Sequence, residues 1–163
     1  MTRGEDVKAT LAKAVEAFGR LDFAFNNASI EPKNTAPTAD YDEDEWDRVV
    51  DLNLKAPFFL TQALAPLLRK AATDHLAKVI HIASIDGLAV NPLETYSYAA
   101  SKAGLVHLTR RMALRLAKDR IAVSAIAPGA FASDMNRDAR DNGDRVKTRI
   151  PGGRIGEPED MAG

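Results

Sequence analysis

Cysteine is absent from the sequence. These 163 residues therefore cannot form a disulfide framework, a thiol nucleophile or a thiolate metal site. The three histidines do not have the spacing of metal ligands, so we predict no metal centre. One of them, His81, alternates with apolar residues in a predicted buried strand, which favours a core histidine over a catalytic one.

Excess charge of one sign and long hydrophobic runs are also missing. The formal net charge is −1 at pH 7. Acidic and basic residues are interspersed, so we expect neither nucleic acid nor a membrane surface as a partner. The apolar stretches are far too short to span a bilayer, and the N-terminal residues do not resemble a signal peptide. The cytoplasm is the expected compartment.

The hydrophobic periodicity predicts long helices that alternate with short strands. An apolar stripe predicts a helix at 5–18, and another helix is expected at about 95–118. Asp42, with Glu45 three residues later, is typical of a capping box that opens a helix reaching about residue 70. Three short apolar runs predict strands at 21–25, 78–84 and 120–127. The alternation indicates an α/β fold with a doubly wound parallel sheet of about three strands.

The carboxyl ends of parallel strands lie at one edge of a sheet, where ligands bind in open α/β folds. The sequence places chemically distinctive residues at these ends, namely Asn26-Asn27-Ala28, Ser84 and Pro128-Gly129. Because the three segments follow three different strands, we expect them to converge on a single site.

Tyr98 and Lys102 lie four residues apart at the start of the helix that follows the second strand. This spacing places a phenol and an ammonium group on one helix face, one turn apart. A free tyrosine has a pKa of roughly 10 and exchanges protons poorly at neutral pH, whereas a neighbouring positive charge favours the phenolate. The pair therefore indicates a site for proton transfer. Tyr96 is an alternative phenol, but it has no lysine one turn further on.

Taken together and in this order, these motifs resemble the short-chain dehydrogenase/reductase family over nearly the whole chain. The resemblance also includes Asn53 within Asp-Leu-Asn-Leu. It implies a Rossmann-like sheet, with residues 1–163 forming a partial domain that holds the catalytic half. It further implies an oxidoreductase that uses NAD or NADP to interconvert a carbonyl and a secondary alcohol. The implied partners are a small-molecule substrate and, at full length, further copies of the chain in a dimer or tetramer.

The resemblance implies a role for each site residue. Tyr98 would be the general acid in carbonyl reduction and the general base in alcohol oxidation, and Ser84 would hold the substrate oxygen. Lys102 would lower the pKa of Tyr98 and hydrogen-bond the nicotinamide ribose. Asn53 would hold a water that passes protons to solvent. The cofactor would also contact two further segments, Asn26-Asn27-Ala28 and the stretch with Pro128, Gly129 and Ser133.

Three details are specific to this chain. Pro57, four residues after Asn53, has no N–H for the Asn53 carbonyl, so we expect the helix to kink and leave that carbonyl free for the relay water. Ser29 stands where the family usually has glycine. The interval from Ser84 to Tyr98 is one residue longer than the commonest spacing in the family. In this respect the chain resembles the branch that contains the rhamnolipid-type β-ketoacyl reductases.

A glycine-rich phosphate-binding loop is also missing. Family chains begin with a strand, such a loop and a helix whose N-terminus binds the pyrophosphate, and none of the ten glycines here stands in such a turn. We therefore expect the 163-residue chain to bind cofactor poorly and to turn over little or not at all. An apolar sheet edge should be exposed near 21–25. The segment 136–149 is either a solvated loop or the substrate lid of the family.

Two other functions compete with this one. A non-catalytic protein could bind a partner through the exposed sheet edge, but such a protein would have no need to retain all four catalytic residue types. A hydrolase of the α/β class would need a Gly-x-Ser-x-Gly turn, and Ser84 lies in Ala-Ser-Ile-Asp-Gly instead.

Overall fold

The computed structural model describes residues 4–33, 35–133 and 135–162. The chain divides into two compact units, Met1–Ile126 and Ala127–Gly163, and each is described by itself. The expectation of one partial domain over residues 1–163 stays a prediction. Within the described ranges, no helix is both long enough and apolar enough to cross a membrane.

A three-stranded parallel sheet forms the centre of the first unit. Its strands are β1 (Phe23–Asn26), β2 (Ala77–Ile82) and β3 (Ile121–Ile126), in that spatial order. In register, Asn26 of β1 lies opposite His81 of β2. The predicted α/β fold with parallel strands is therefore confirmed. The strand bounds differ from the predicted ones by at most two residues.

Four helices accompany the sheet in the described part of the first unit. They are α1 (Gly4–Phe18), α2 (Glu43–Val50), α3 (Ala56–Ala71) and α4 (Tyr96–Leu116). α3 packs against β1 and β2, and α4 packs against β3. The buried apolar core consists of Ala24, Leu64, Leu68, Ala72, Ala77, Val79, Met112, Ile121 and Val123.

The N-terminus of α2 is capped by Asp42 as predicted, but the reciprocal bond of the predicted capping box, from the Asp42 N–H to the Glu45 side chain, is not seen between these two described residues. The Asp42 carboxylate accepts a hydrogen bond from the Glu45 N–H at 2.7 Å. The Glu45 carboxylate in turn accepts from the Arg48 guanidinium at 2.6 and 2.8 Å and from the backbone N–H of Lys33. The bonds from Arg48 hold the pKa of Glu45 at about 2. The segment around residue 33 is therefore fixed to α2.

A π-helical turn, Asp51–Lys55, joins α2 to α3. At its end the Ala56 N–H donates to the Asp51 carbonyl, five residues back. Pro57 follows directly, and its missing N–H prevents an α-helical ladder from passing through this point. The helix irregularity expected beside Asn53 is therefore present.

β1 is an edge strand of the described sheet, since it pairs with β2 alone. Its side chains alternate: Ala24 and Asn26 are buried, whereas Phe23 and Phe25 are 49% and 61% exposed. An exposed apolar edge strand is a surface on which further chains associate. The exposed apolar edge that the sequence predicts near residues 21–25 is therefore present in the described sheet.

His81 is a core histidine, as predicted. It is fully buried on β2, and its Nδ1 lies 2.9 Å from the Thr109 hydroxyl on α4. That hydroxyl donates to the Leu105 carbonyl, so its oxygen accepts the proton of the imidazole. Its Nε2 has no hydrogen-bond partner among the described residues. Burial lowers the pKa of His81 to about 4, so the ring is neutral at pH 7.

The second unit consists of short elements. It contains α5 (Arg137–Asp141) and α6 (Gly143–Lys147), and a parallel bridge joins Phe131 to Gly156. A Cβ atom on Gly156 would stand 2.5 Å from the Phe131 ring, so this close approach requires glycine. The segment 136–149 therefore contains two short helices, and its role as a lid stays a prediction.

Candidate active site

Asn53 fixes the loop that follows β1. Its Oδ1 accepts hydrogen bonds from the Ile30 N–H at 2.9 Å and from the Ser29 hydroxyl at 3.2 Å. Its Nδ2 donates to the Ile30 carbonyl at 2.8 Å and to the Ser101 hydroxyl on α4 at 3.3 Å. The side chain is 1% exposed and its amide is fully used. If Asn53 binds a water molecule, its backbone carbonyl must therefore be the group that accepts the hydrogen bond.

The end of β1 is buried, and the loop beyond it is exposed. The Asn26 Nδ2 donates to the Thr61 hydroxyl of α3 at 3.3 Å. Asn27 and Ala28, the next two expected cofactor contacts, are exposed. The loop anchored by Asn53 thus presents them at the sheet edge where open α/β folds bind ligands.

Ser84 follows β2 and opens a short 3₁₀ turn. Its hydroxyl accepts a hydrogen bond from the Asp86 N–H at 3.2 Å, and it is close enough to the Tyr98 phenol to lower the pKa of that phenol. The backbone of Gly87 lies so close to α4 that a Cβ there would stand 2.6 Å from the Lys102 carbonyl. The turn is therefore held against α4, which places Ser84 beside Tyr98.

Tyr98 lies in the first turn of α4 and is 8% exposed. Burial raises the pKa of its phenol, and the interaction with the Ser84 hydroxyl opposes this shift. The negative charges of Glu31 and Asp86 raise the pKa further. The pKa of Tyr98 is therefore raised in this structure, because desolvation decides the net direction. The expectation that Lys102 lowers it stays a prediction. The phenol stays protonated at neutral pH.

Lys102 is 2% exposed, although lysine carries a full charge in water. Its Nζ donates to the Ile82 carbonyl at 2.8 Å and lies 5.4 Å from the centre of the Tyr98 ring. Burial lowers the pKa of Lys102 to about 8, and Glu31 opposes this shift. The ammonium is thus bonded to β2 rather than to the phenol.

Two hydroxyls that the sequence analysis missed support the first turn of α4. Ser101 donates to the Tyr98 carbonyl at 2.7 Å and accepts from Asn53. The Ser97 Oγ lies 2.7 Å from the Tyr41 hydroxyl. Both serines are fully buried. Their closeness to Tyr98 in sequence is the signal that would have identified them, because a serine within a helix often bonds a carbonyl one turn back.

Tyr96, the alternative phenol, is used elsewhere. Its hydroxyl donates to the Glu94 carboxylate at 2.5 Å and accepts from the Thr38 hydroxyl at 2.8 Å. Its ring packs edge-on against Tyr41, with 5.6 Å between ring centres. Of the two candidate phenols, Tyr98 is therefore the one that shares a site with Ser84.

Pro128, Gly129 and Ser133 belong to the second unit. Ser133 is exposed, and its hydroxyl accepts a hydrogen bond from the Asn136 N–H at 3.0 Å. The expected contact of these residues with a cofactor stays a prediction. In the part of the chain that the structure describes, no cluster of three or more histidine, aspartate or glutamate side chains is arranged to hold a metal ion.

The parallel sheet thus carries a buried tyrosine and a buried serine at its carboxyl edge, with a buried lysine one helical turn away, and this is the edge at which open α/β folds bind ligands. A family model described as enoyl-(acyl carrier protein) reductase matches residues 1–163. The chain belongs to the short-chain dehydrogenase/reductase family.

Two curated relatives and one solved structure illustrate the match. The chain is 34% identical over 163 residues to 3-oxoacyl-[acyl-carrier-protein] reductase FabG of Thermotoga maritima, covering 99% of this chain and 64% of that protein. It is 39% identical over 158 residues to 2-dehydro-3-deoxy-D-gluconate 5-dehydrogenase of Dickeya dadantii, covering 95% and 60%. The Pseudomonas aeruginosa RhlG/NADP active-site complex matches with a TM-score of 0.90 and 34% identity, over 99% of this chain and 64% of that one.

These matches also show how much of each relative the chain covers and which cofactors the solved relatives bind. The chain spans 60–64% of the length of these relatives. The solved relatives include complexes with NADP and with NAD. The family therefore uses nicotinamide nucleotides, as the sequence predicts.

Proposed function

We propose that the protein to which this chain belongs interconverts a carbonyl and a secondary alcohol with NAD or NADP, and that Tyr98 is its proton donor and acceptor. The observation that carries this proposal is the buried Tyr98 phenol, which interacts with Ser84 and lies one helical turn from Lys102. The names of the relatives, a reductase and a dehydrogenase, support the same reaction type.

The first unit has hydrogen-bond donors that suit a nicotinamide nucleotide. The buried ammonium of Lys102 has three N–H donors, and the described residues supply one acceptor, the Ile82 carbonyl. The remaining donors fit the hydroxyls of a ribose. When bound, the nicotinamide supplies or removes the hydride. We propose that the cofactor is also contacted by Asn26, Asn27, Ala28, Tyr98, Pro128, Gly129 and Ser133.

The environment of Tyr98 suits the reduction direction. Because burial raises the pKa of the phenol, Tyr98 carries its proton at pH 7 and can give it to the developing alkoxide. The hydroxyl of Ser84 is a second donor to the same oxygen, as an oxyanion site requires. Each carbonyl reduced consumes one hydride and one proton and yields one alcohol.

Lys102 and Asn53 are suited to return a proton to Tyr98. The pKa of Lys102, lowered by burial to about 8, lies near neutral pH, where the amine can both give and take a proton. The Asn53 carbonyl lies in the π-helical turn ahead of Pro57 and lacks an α-helical donor. We assign the relay water to this carbonyl, because the side-chain amide is fully used.

The relatives suggest two substrate classes. One relative acts on a 3-oxoacyl group carried by acyl carrier protein, and the other acts on 2-dehydro-3-deoxy-D-gluconate, a sugar acid. We further propose that the 163-residue chain expressed alone binds NAD(P) weakly, because none of its ten glycines forms a phosphate-binding loop. At natural length we expect a homo-oligomer.

The natural-length protein provides the test, with a panel of carbonyl substrates and with both NADH and NADPH. Tyr98→Phe keeps the ring and removes the proton, so we expect kcat to fall by about 10²–10⁴-fold. Tyr96→Phe is the matched control and should retain near wild-type turnover, because its phenol lies outside the Ser84 pair. Wild-type turnover by a folded Tyr98→Phe variant would contradict the assignment.

A second candidate function is partner binding without catalysis. It is supported by the exposure of Phe23 and Phe25 on the edge strand β1. This candidate would be favoured if the natural-length protein reduced no carbonyl with either cofactor. It would also require a complex, seen by size-exclusion chromatography, that Phe25→Lys abolishes.

A further inference from the structure

The backbone of Glu31 is fixed beside the proposed catalytic groups. Glu31 follows Ile30, whose N–H and carbonyl are both bonded to the buried amide of Asn53. The Glu31 carbonyl accepts a hydrogen bond from the Arg48 guanidinium at 2.9 Å. The residue is therefore anchored on both sides, and its side chain is half-buried.

Asp86 is fixed in a similar way. Its N–H donates to the Ser84 hydroxyl at 3.2 Å, and the next residue, Gly87, is packed against the backbone of Lys102. The Asp86 side chain is half-buried. Both carboxylates are thus attached to short, rigid segments that flank the site.

The two carboxylates act on the same groups. Burial raises the pKa of Glu31, the negative charge of Asp86 raises it further, and Lys102 opposes the shift. Both charges also raise the pKa of Tyr98. Glu31 and Asp86 are therefore within electrostatic reach of each other and of the phenol.

Neither carboxylate has a hydrogen-bond or ion-pair partner among residues 4–33, 35–133 and 135–162. Other acids of the first unit do have arginine partners, as in Glu45 with Arg48, Asp22 with Arg20, and Asp119 with Arg69. The ammonium of Lys102 is the nearby positive charge, and it donates a hydrogen bond to the Ile82 carbonyl of β2 rather than to either carboxylate. Around Tyr98 two carboxylates thus face one ammonium, which offsets only part of their negative charge.

We propose that Glu31 and Asp86 select substrates that carry no negative charge next to the reacting carbonyl. The inference rests on the proposed function, in which that carbonyl lies against Tyr98 and Ser84. Of the two substrate classes suggested by the relatives, an uncharged 3-oxoacyl ester or thioester fits this site. An oxo acid whose carboxylate stands next to the reacting carbonyl is disfavoured. The sugar acid of the second relative reacts at C5, away from its carboxylate, so this repulsion does not exclude it.

The expected discrimination follows from Coulomb repulsion. Two like charges a few ångströms apart at a partly buried site repel strongly enough to change a rate constant by about tenfold or more. A carboxylate on the substrate would meet two such charges. An ester in the same position would meet none of this repulsion.

Ethyl acetoacetate and acetoacetate provide a matched pair of probes. They share the same 3-oxo group, and they differ in whether the neighbouring carboxyl is esterified or ionised. In each reduction Tyr98 would give a proton to the carbonyl oxygen, and the carbonyl carbon would receive the hydride that a bound reduced nicotinamide supplies. We expect the natural-length protein to show kcat/KM for the ester at least about tenfold above that for acetoacetate.

The double variant Glu31→Gln/Asp86→Asn tests the cause of this preference. It removes both charges with little change in shape, so we expect the ester-to-acid ratio of kcat/KM to fall by about tenfold, mainly through a lower KM for acetoacetate. Asp47→Asn removes an exposed charge on α2 and is the matched control, expected to leave the ratio unchanged. The two single variants give the same test if the double variant does not fold.

The outcomes separate this inference from the proposed function. Equal use of ester and acid by the wild type, or an unchanged ratio in the folded charge variants, would overturn the selection by Glu31 and Asp86 and leave the oxidoreductase assignment standing. No reduction of any carbonyl with either cofactor would overturn the proposed function itself, and this inference with it.

Discussion

The two units of the chain are stabilised in different ways. The first has a buried apolar core, and its site is held by hydrogen bonds between buried, uncharged groups such as Asn53 and Ser101. The described residues of the second include one buried apolar side chain, Ala139. Their ion pairs join exposed side chains, namely Arg145 with Asp138, Lys147 with Asp144, and Arg154 with Asp160.

This difference predicts different responses to mutation and to salt. Apolar burial and buried hydrogen bonds are nearly insensitive to ionic strength, whereas exposed ion pairs are weakened by it. The geometry around Tyr98 should therefore persist under conditions that loosen the second unit. Substitutions in the two units are expected to differ several-fold in their effect on stability.

The largest effect is expected for Leu68→Ala. Leu68 is fully buried in the core between α3 and the sheet. Its truncation removes buried methyl groups and leaves a cavity, so the free energy of unfolding should fall by about 2–5 kcal/mol. Leu114→Ala is the matched control. Leu114 lies on α4 and is 74% exposed, so its truncation should lower the free energy of unfolding by less than about 0.5 kcal/mol. Urea unfolding measures both, and equal losses would contradict the assignment of the core.

A somewhat smaller effect concerns the burial of Lys102 and is visible through pH. The pKa of Lys102 is about 8 when folded, against 10.5 for a free lysine. Between these two values the unfolded chain carries the proton and the folded chain does not. The free energy of unfolding should therefore rise as pH increases from about 8 to 10.5, by at most about 3 kcal/mol.

Lys102→Met isolates this contribution. The variant keeps a long apolar side chain and has no group to titrate, so the rise between about pH 8 and 10.5 should be absent from it. Urea unfolding of both proteins across this range gives the difference directly. Identical pH dependence in the two proteins would show that Lys102 is not desolvated in the fold.

The sequence was sufficient to predict the fold class and to place the candidate site residues at the ends of strands and at the start of a helix. The strands, the Asp42 cap and the irregular helix at Pro57 all follow from local features: an apolar run, a side-chain acceptor and a missing N–H. Tyr98 and Ser84 were recognisable because their residue types and their places at strand and helix ends are distinctive. Most of the prediction therefore came from features that a few neighbouring residues determine.

Other properties of the site could not be predicted, because tertiary packing determines them. The pKa of Tyr98 rises because its phenol is buried, and burial depends on the whole unit. Glu31 and Asp86 are far apart in sequence, and the electrostatic interaction between them exists only in the folded chain. The bonds of Asn53 go to backbone atoms of Ile30, and backbone atoms leave no signature in a sequence.

The smallest effect is expected in the second unit, for Arg154→Gln. The Arg154 guanidinium makes two parallel bonds of 2.7 Å to the Asp160 carboxylate, and both side chains are partly or largely exposed. An exposed pair of this kind contributes about 0.2–1 kcal/mol in dilute buffer, and salt screens it. The variant should therefore lose a small part of its stability at low salt and almost nothing at about 1 M salt, where the Debye length is roughly 3 Å.

Arg110→Gln, at an exposed arginine of α4, is the matched control for this loss of one charge. It should change stability little at either salt concentration, because no ion pair of Arg110 is seen among the residues that the structure describes. If Arg154→Gln instead costs several kcal/mol and the loss persists in high salt, the Arg154–Asp160 pair is effectively buried in the natural-length protein. In that case the contrast between a salt-insensitive first unit and a salt-sensitive second unit fails.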